Sequence, residues 1–284
     1  MKEYYIGLYE KAMPSTLSWR EKLECARDNN YDFVEISIDE TDEKLKRLDM
    51  TKEERWALVN LMYEVAVPIR TMCLSGHRKY PLGSLDKVTR ERGMKIMEKA
   101  IQLADDLGIR IIQLAGYDVY YEQGNEETKM MFLENLKIAV NMAARSGVIL
   151  AFETMETEFM NTVGKAMKYV DTINSPYLQV YPDCGNIKNA AKTYGTDEIA
   201  DLRSGVGHIA AVHLKETVQG KFREIPFGTG HVNFENIIKA SLDMGVRRFV
   251  TEFWYTGSGD FRADIKKSKE FIDEKFRLVT KWFQ

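Results

Sequence analysis

Short apolar runs alternate along the chain with longer stretches in which apolar positions recur at helical spacing. The runs are YYIGLY (4–9), DFVEISI (32–38), IRTMCLS (69–75), RIIQLAG (110–116), VILAFE (148–153), LQVYPD (178–183), IAAVHLK (209–215) and RRFVTEFW (247–254), eight in all. Most are nearly continuous in apolar residues. That pattern marks strands buried on both faces, as in a parallel sheet covered by helices.

The stretches between them carry helix boundaries. Ser18 opens a helix running to Asn29 as its N-cap. Thr51 with Glu54 three residues on has the form of a capping box. Asp86 to Leu107 reads as a long helix stopped by Gly108. Further helices are predicted over Glu126–Ser146, Thr162–Ile173, Thr196–Ser204, Phe234–Met244 and Phe261–Trp282. Gly147 and Gly245 each precede a strand, where a helix must stop. Eight βα units in 284 residues predict an α/β fold, a (β/α)8 barrel, and no linker divides it. One domain over residues 1–284 is expected, with a doubly wound open sheet as the alternative.

Barrels of this type hold their chemistry at the C-terminal ends of the strands. Strand five ends at Glu153, strand six at Asp183, strand seven carries His213 and strand eight Glu252. An unpaired carboxylate at the end of a buried strand is unfavourable. Two glutamates, one aspartate and one histidine on consecutive strands form an oxygen-rich ligand set for one divalent ion. Such ligands suit Mn²⁺, Mg²⁺ or Co²⁺, and Zn²⁺ as well. Each residue taken alone is as readily an ion-paired, capping or core group; the four together carry the argument.

Composition narrows the field. A net charge of −3 argues against nucleic acid as the partner. Cys25, Cys73 and Cys184 are odd in number and form no CxxC, so neither a disulfide framework nor a thiolate zinc knot is expected. No signal peptide is legible in MKEYYIGLYEKAMP, and no apolar run reaches the length of about 18 residues that a membrane helix needs. A cytoplasmic protein without membrane attachment is the expectation.

The segments LYEKAMP, FVEISIDETDEKLKRLD, CLSGHRKYPLGS, IQLAGYDVYY, YPDCGN, GHIAAVHLKE and PFGTGHVNFE follow one another in order. Together they resemble the L-ribulose-5-phosphate 3-epimerases, also described as L-xylulose-5-phosphate 3-epimerases, of the xylose-isomerase-like barrel superfamily, enzymes of bacterial ascorbate or pentose catabolism. The resemblance spans nearly the whole chain. It implies a metal held by Glu153, Asp183, His213 and Glu252, with Glu153 and Glu252 also the catalytic acid/base pair. It further implies a sugar-phosphate substrate and a homo-oligomer, a dimer or larger.

The chemistry agrees on its own terms. The C3 proton of a ketopentose 5-phosphate lies beside the C2 ketone, and a metal on those oxygens stabilises an enediolate. One carboxylate removes the proton from one face, and a second returns it from the other. The free-sugar epimerases of the superfamily often have a histidine three residues after the strand-six aspartate and an arginine six after the strand-seven histidine. Asn186 and Gln219 stand there in this chain, so substrate contacts do not transfer simply.

Several residues are weaker candidates for substrate contact. His77, Arg78 and Lys79 follow strand three and could attract phosphate, or form a solvated basic loop. Lys215 lies in phase with His213, and Lys188, Lys221 and Arg223 are alternatives to it. Tyr9, Glu10 and Tyr117 end strands one and four, where they wall a sugar or simply pack. Glu156 is close enough to Glu153 to bind a hydroxyl, with a surface role as the ordinary reading. His208 and His231 read as structural, and KLKRLD and RERGMKIMEK as solvated charged helix faces.

Three other functions compete. An aldose–ketose isomerase or dehydratase would use the same barrel, but a hydride-shift isomerase usually needs a second metal. A DNA-repair endonuclease of this barrel needs a histidine-rich three-metal site, and this chain has 4 histidines in total. A non-catalytic sugar-phosphate binding protein would not need a carboxylate on both faces of its ligand.

Overall fold

The computed structural model describes residues 3–257 and 259–280. Its strands are β1 (Tyr5–Tyr9), β2 (Phe33–Ile38), β3 (Ile69–Leu74), β4 (Ile111–Ala115), β5 (Ile149–Glu153), β6 (Leu178–Tyr181), β7 (Val212–Leu214) and β8 (Arg248–Thr251). All pair in parallel, in the order β6-β5-β4-β3-β2-β1-β8-β7. Parallel bridges Val180↔Ile209 and Asp183↔His213 span the remaining seam between β6 and β7, closing the barrel. The open doubly wound alternative is thereby set aside.

Helices α1 (Trp19–Asp28), α3 (Lys52–Val65), α4 (Lys87–Leu107), α5 (Glu126–Arg145), α6 (Val163–Ile173), α9 (Phe234–Asp243) and α10 (Phe261–Thr280) form most of the outer layer. Ser18 with Glu21 and Thr51 with Glu54 make the capping boxes that open α1 and α3. Gly108 ends α4 in the left-handed conformation, at φ 74°. The expected continuation of the last helix to Trp282 lies outside the described residues. Two short helices are additional: α2 (Asp42–Lys46) and α7 (Cys184–Tyr194), the latter opening directly behind β6 with Asp183 as its N-cap. The helix expected over Thr196–Ser204 is the shorter α8 (Glu198–Arg203), capped by Asp197.

Apolar side chains of the strands sort mainly into two cores because successive residues of a strand face opposite ways, with a small third cluster of Ala115, Tyr117 and Met155. The larger core lies between barrel and helices and includes Leu8, Val34, Met72, Ile112, Phe152 and Phe249. The smaller fills the barrel itself and includes Phe33, Ile111, Ala151, Tyr181, Ala211 and Val250. Gly7 is required here: a Cβ would lie 2.3 Å from the ring of Phe33, which plugs the interior. The inward rows rise from this floor to the C-terminal rim, and each reaches it at a defined residue.

Candidate metal centre and active site

Following the inward row by twos gives Ile149, Ala151 and Glu153 on β5, Ala211, His213 and Lys215 on and around β7, and Val250 and Glu252 at β8. Tyr181 leads to Asp183 in the same way. One ligand atom each from Glu153, Asp183, His213 and Glu252 lies within 4.8 Å of all the others, and all four residues are buried. Nδ1 of His213 faces this group, 3.0 Å from Glu252 Oε2 and 3.7 Å from Glu153 Oε1.

Asp183 divides its two oxygens between tasks. Oδ1 accepts the backbone N–H of Asn186 at 2.7 Å and caps α7. Oδ2 is buried and turned to the group, ion-paired with the Lys215 ammonium at 2.9 Å. Lys215 is also 3.6 Å from Glu252 Oε2.

Crowding sets the charges. Burial and the neighbouring Glu252 raise the pKa of Glu153. Burial also raises Asp183 well above the ordinary carboxylate range, against the pull of Lys215. Burial would raise Glu252 too, but Lys215 and His213 outweigh it and hold that carboxyl well below its usual value. Three buried carboxylates and an imidazole with one ligand atom each within 4.8 Å of the others match the ligand demands of a divalent cation. These are the residues that could hold one.

Above the group opens a cavity of about 480 Å³, counting the part open to solvent. Its charged lining includes Lys11, Arg78, Lys215, Arg223 and Glu156, with Trp254 on one wall. Arg78 lies over the rings of Tyr117 and Tyr120, and its buried Nε has no hydrogen-bond partner. Asn186 also lines the cavity; its Nδ2 donates to the Thr154 carbonyl at 2.7 Å, and its buried Oδ1 is unpartnered. Tyr117 donates its hydroxyl to Glu156 Oε2 at 3.0 Å. Glu156 is thus fixed at the cavity wall, not loose on the surface.

Other expected contacts are not brought together. His77 turns away from the mouth and is buried, its Nε2 3.1 Å from the carbonyl oxygen of Gly93. Lys79, next to it, is exposed. Glu10 lies beneath the rim in a buried ion cluster with Lys22, Lys44 and Arg47. Lys44 and Arg47 are therefore not a solvated face of KLKRLD, because burying Glu10 requires them to reach inward. Lys188 pairs with Glu198 at 2.5 Å, and His231 Nε2 meets Thr217 Oγ1 at 3.0 Å.

Two buried residues escaped the reading of the chain. Glu35 of β2 lies 2.7 Å from His213 Nε2, and Gln113 of β4 lies 3.1 Å from Nδ1. The available signal for Glu35 was a lone charge in FVEISI, in phase with Phe33 and Ser37.

A closed eight-stranded parallel barrel with a carboxylate–imidazole group on its C-terminal rim defines a class, and the family comparison agrees with it. Residues 23–275 match the family model described as xylose isomerase-like TIM barrel, and the chain belongs to that family. It is 44% identical over 272 residues to the L-ribulose-5-phosphate 3-epimerase UlaE of Escherichia coli (strain ATCC 8739), covering 95% of this chain and 94% of that one. The protein of the same name from Escherichia fergusonii is also 44% identical over 272 residues, with the same coverage of both chains. A solved L-ribulose 3-epimerase superposes with a TM-score of 0.79 at 18% identity, covering 98% of this chain and 96% of the other. A D-tagatose 3-epimerase-like protein gives 0.81 at 17% identity, over 99% and 100%. These two likenesses are of fold.

Proposed function

We propose that the protein is a divalent-metal-dependent sugar-phosphate 3-epimerase that interconverts L-ribulose 5-phosphate and L-xylulose 5-phosphate by proton transfer at C3. The observation that carries this reading is the convergence of Glu153, Asp183, His213 and Glu252 on one buried point at the barrel mouth. A divalent ion held by these residues would act as a Lewis acid on the ketone and acidify the neighbouring C–H bond.

The chain's own groups account for the rest. Glu153 and Glu252 come from β5 and β8, which are not neighbours in the barrel, so their carboxyls can serve different faces of one bound sugar. One takes the C3 proton and the other supplies its replacement. Lys215 adds a buried positive charge close to where negative charge gathers on the substrate oxygens. The unpartnered Asn186 Oδ1 can accept a substrate hydroxyl. Lys11, Arg78 and Arg223 line the cavity with cations that suit the phosphate.

The same proposal takes the whole chain as one barrel domain, supported by the match over residues 23–275. It includes a homo-oligomer, for which exposed Trp56 and Tyr63, seven residues apart on α3, offer a face. It includes the cytoplasm, in keeping with three buried free cysteines. Among the described residues no helix is long and apolar enough to cross a membrane.

Protein stripped with a chelator should convert L-ribulose 5-phosphate to L-xylulose 5-phosphate only when Mn²⁺, Co²⁺, Mg²⁺ or Zn²⁺ is restored, as followed by NMR. Full-rate conversion by stripped protein would contradict the metal requirement. No conversion with any of the four ions would contradict the substrate assignment.

A further inference from the structure

Glu35 lies in the middle of β2 on the inward row and is completely buried at 0% exposure. A carboxylate at the centre of a barrel is costly, and an apolar side chain would fill the space more favourably unless the charge has a task. Its two oxygens have separate partners. Oε1 lies 2.7 Å from Nε2 of His213. Oε2 accepts the hydroxyl of Tyr181 at 3.0 Å. The Tyr181 ring stands edge-on to the imidazole, with centroids 4.8 Å apart. The imidazole is therefore held on one side by Glu35 and braced on another by the tyrosine that also holds Glu35.

The other ring nitrogen faces the rim. Nδ1 is approached by Glu252 Oε2 at 3.0 Å and by the Gln113 amide nitrogen at 3.1 Å. A carboxylate oxygen accepts hydrogen bonds, and the 2.7 Å contact with Glu35 is the one that a hydrogen on Nε2 makes. Nδ1 in turn faces the Glu252 carboxylate; a cation bound among the rim carboxylates takes the place of any proton on Nδ1 and leaves the Nε2 hydrogen on Glu35. Histidine ligands are commonly fixed in this way by a carboxylate on the far nitrogen.

We infer that Glu35 is a positioning residue for the metal centre: it holds His213 in the Nε2–H tautomer and aims Nδ1 at the ion, with Tyr181 fixing Glu35 in turn. The inference rests on the reading of Glu153, Asp183, His213 and Glu252 as a metal site, and not on the identity of the sugar.

Its test is the affinity for Zn²⁺, measured by competition with a chromophoric chelator in the full-length protein without substrate. Glu35→Gln keeps the shape and removes the charge. It should weaken Zn²⁺ binding by about 10–100-fold with an unchanged circular dichroism spectrum. Tyr181→Phe should weaken it in the same direction and by less. A folded Glu35→Gln protein that binds within about twofold of wild type would make Glu35 merely a packing residue and overturn the inference. Wild type that binds no Zn²⁺ would instead overturn the metal site beneath it, whatever the sugar chemistry proves to be. A wild-type measurement covers the case in which Glu35→Gln does not fold. With 4 histidines in the chain, ¹⁵N NMR of histidine-labelled, Zn²⁺-loaded protein can resolve His213. Hydrogen on Nε2 with metal on Nδ1 is expected, and the reverse tautomer would refute the proposal.

Discussion

Burial decides the charge of His77. Packed beneath α4 with its Nε2 near the Gly93 carbonyl, it has its pKa pulled down by burial to about 4. An imidazole in the unfolded chain titrates near 6.5. The folded value is the lower one, so the fold favours the neutral ring. That contribution is complete above about pH 6.5 and is lost as the pH falls towards 4, by about 3 kcal/mol in total. His77→Gln should remove this part of the acid sensitivity. Urea unfolding at pH 4.5 and 7.5 measures it: the gap between the two should narrow in the variant, and an unchanged gap would contradict the account. The sequence offered His77 as a mouth residue because it follows strand three, with a solvated basic loop as the other reading. It could not show that a 3-10 turn over Gly76–Arg78 sends the two side chains opposite ways. Glu35 was hidden for a related reason. Its alternation with Val34, Ile36 and Ile38 marks the face it shares with Phe33 and Ser37, but its partner His213 lies 178 residues away and only the closed barrel brings the two together.

At the scale of elements, Glu10 ties the start of the barrel together. Its Oε1 accepts from Lys22 of α1 at 2.9 Å and Lys44 of α2 at 2.7 Å, and its Oε2 from Arg47 at 2.6 Å. Trp19 covers the cluster, with Lys22 and Arg47 over its ring. Burial opposes the charge on Glu10, yet Arg47, Lys22 and Lys44 prevail and hold the carboxyl far below its usual range. The folded pKa lies below the unfolded one, so this stability is present above about pH 4 and fails only in strong acid. Glu10→Gln leaves three cations around a neutral amide and should destabilise the protein by about 3–5 kcal/mol in urea unfolding at neutral pH. A loss below about 1 kcal/mol would show that the cluster is solvated after all. Partners drawn from α1 and α2 are separated from Glu10 along the chain, so local sequence patterns cannot pair them. The helix α7 was missed for its own reason: it opens on Cys184, Gly185 and Asn186, none a strong helix former. The sequence reading ended strand six at Asp183; β6 ends at Tyr181, and Asp183 stands just beyond it as the cap of α7, a role that needed the fold.

At the scale of the whole molecule, the barrel was legible because parallel strands buried on both faces announce themselves as apolar runs, one per βα unit. The four rim residues were legible for the same reason: each is the polar residue that breaks or ends such a run. What surrounds them depends on closure between β6 and β7 and on contacts across the barrel, and those are properties of the assembled fold. Among the described residues, Glu153, Asp183, His213 and Glu252 form the group that could hold a metal ion. The central claim is therefore an exchange of the C3 proton through two carboxylates. Incubating the metal-loaded protein with L-ribulose 5-phosphate in D₂O and locating deuterium by NMR tests it directly. The account predicts L-xylulose 5-phosphate carrying deuterium at C3, with the reaction abolished in Glu153→Gln and Glu252→Gln. Product that keeps its original hydrogen at C3 would contradict it.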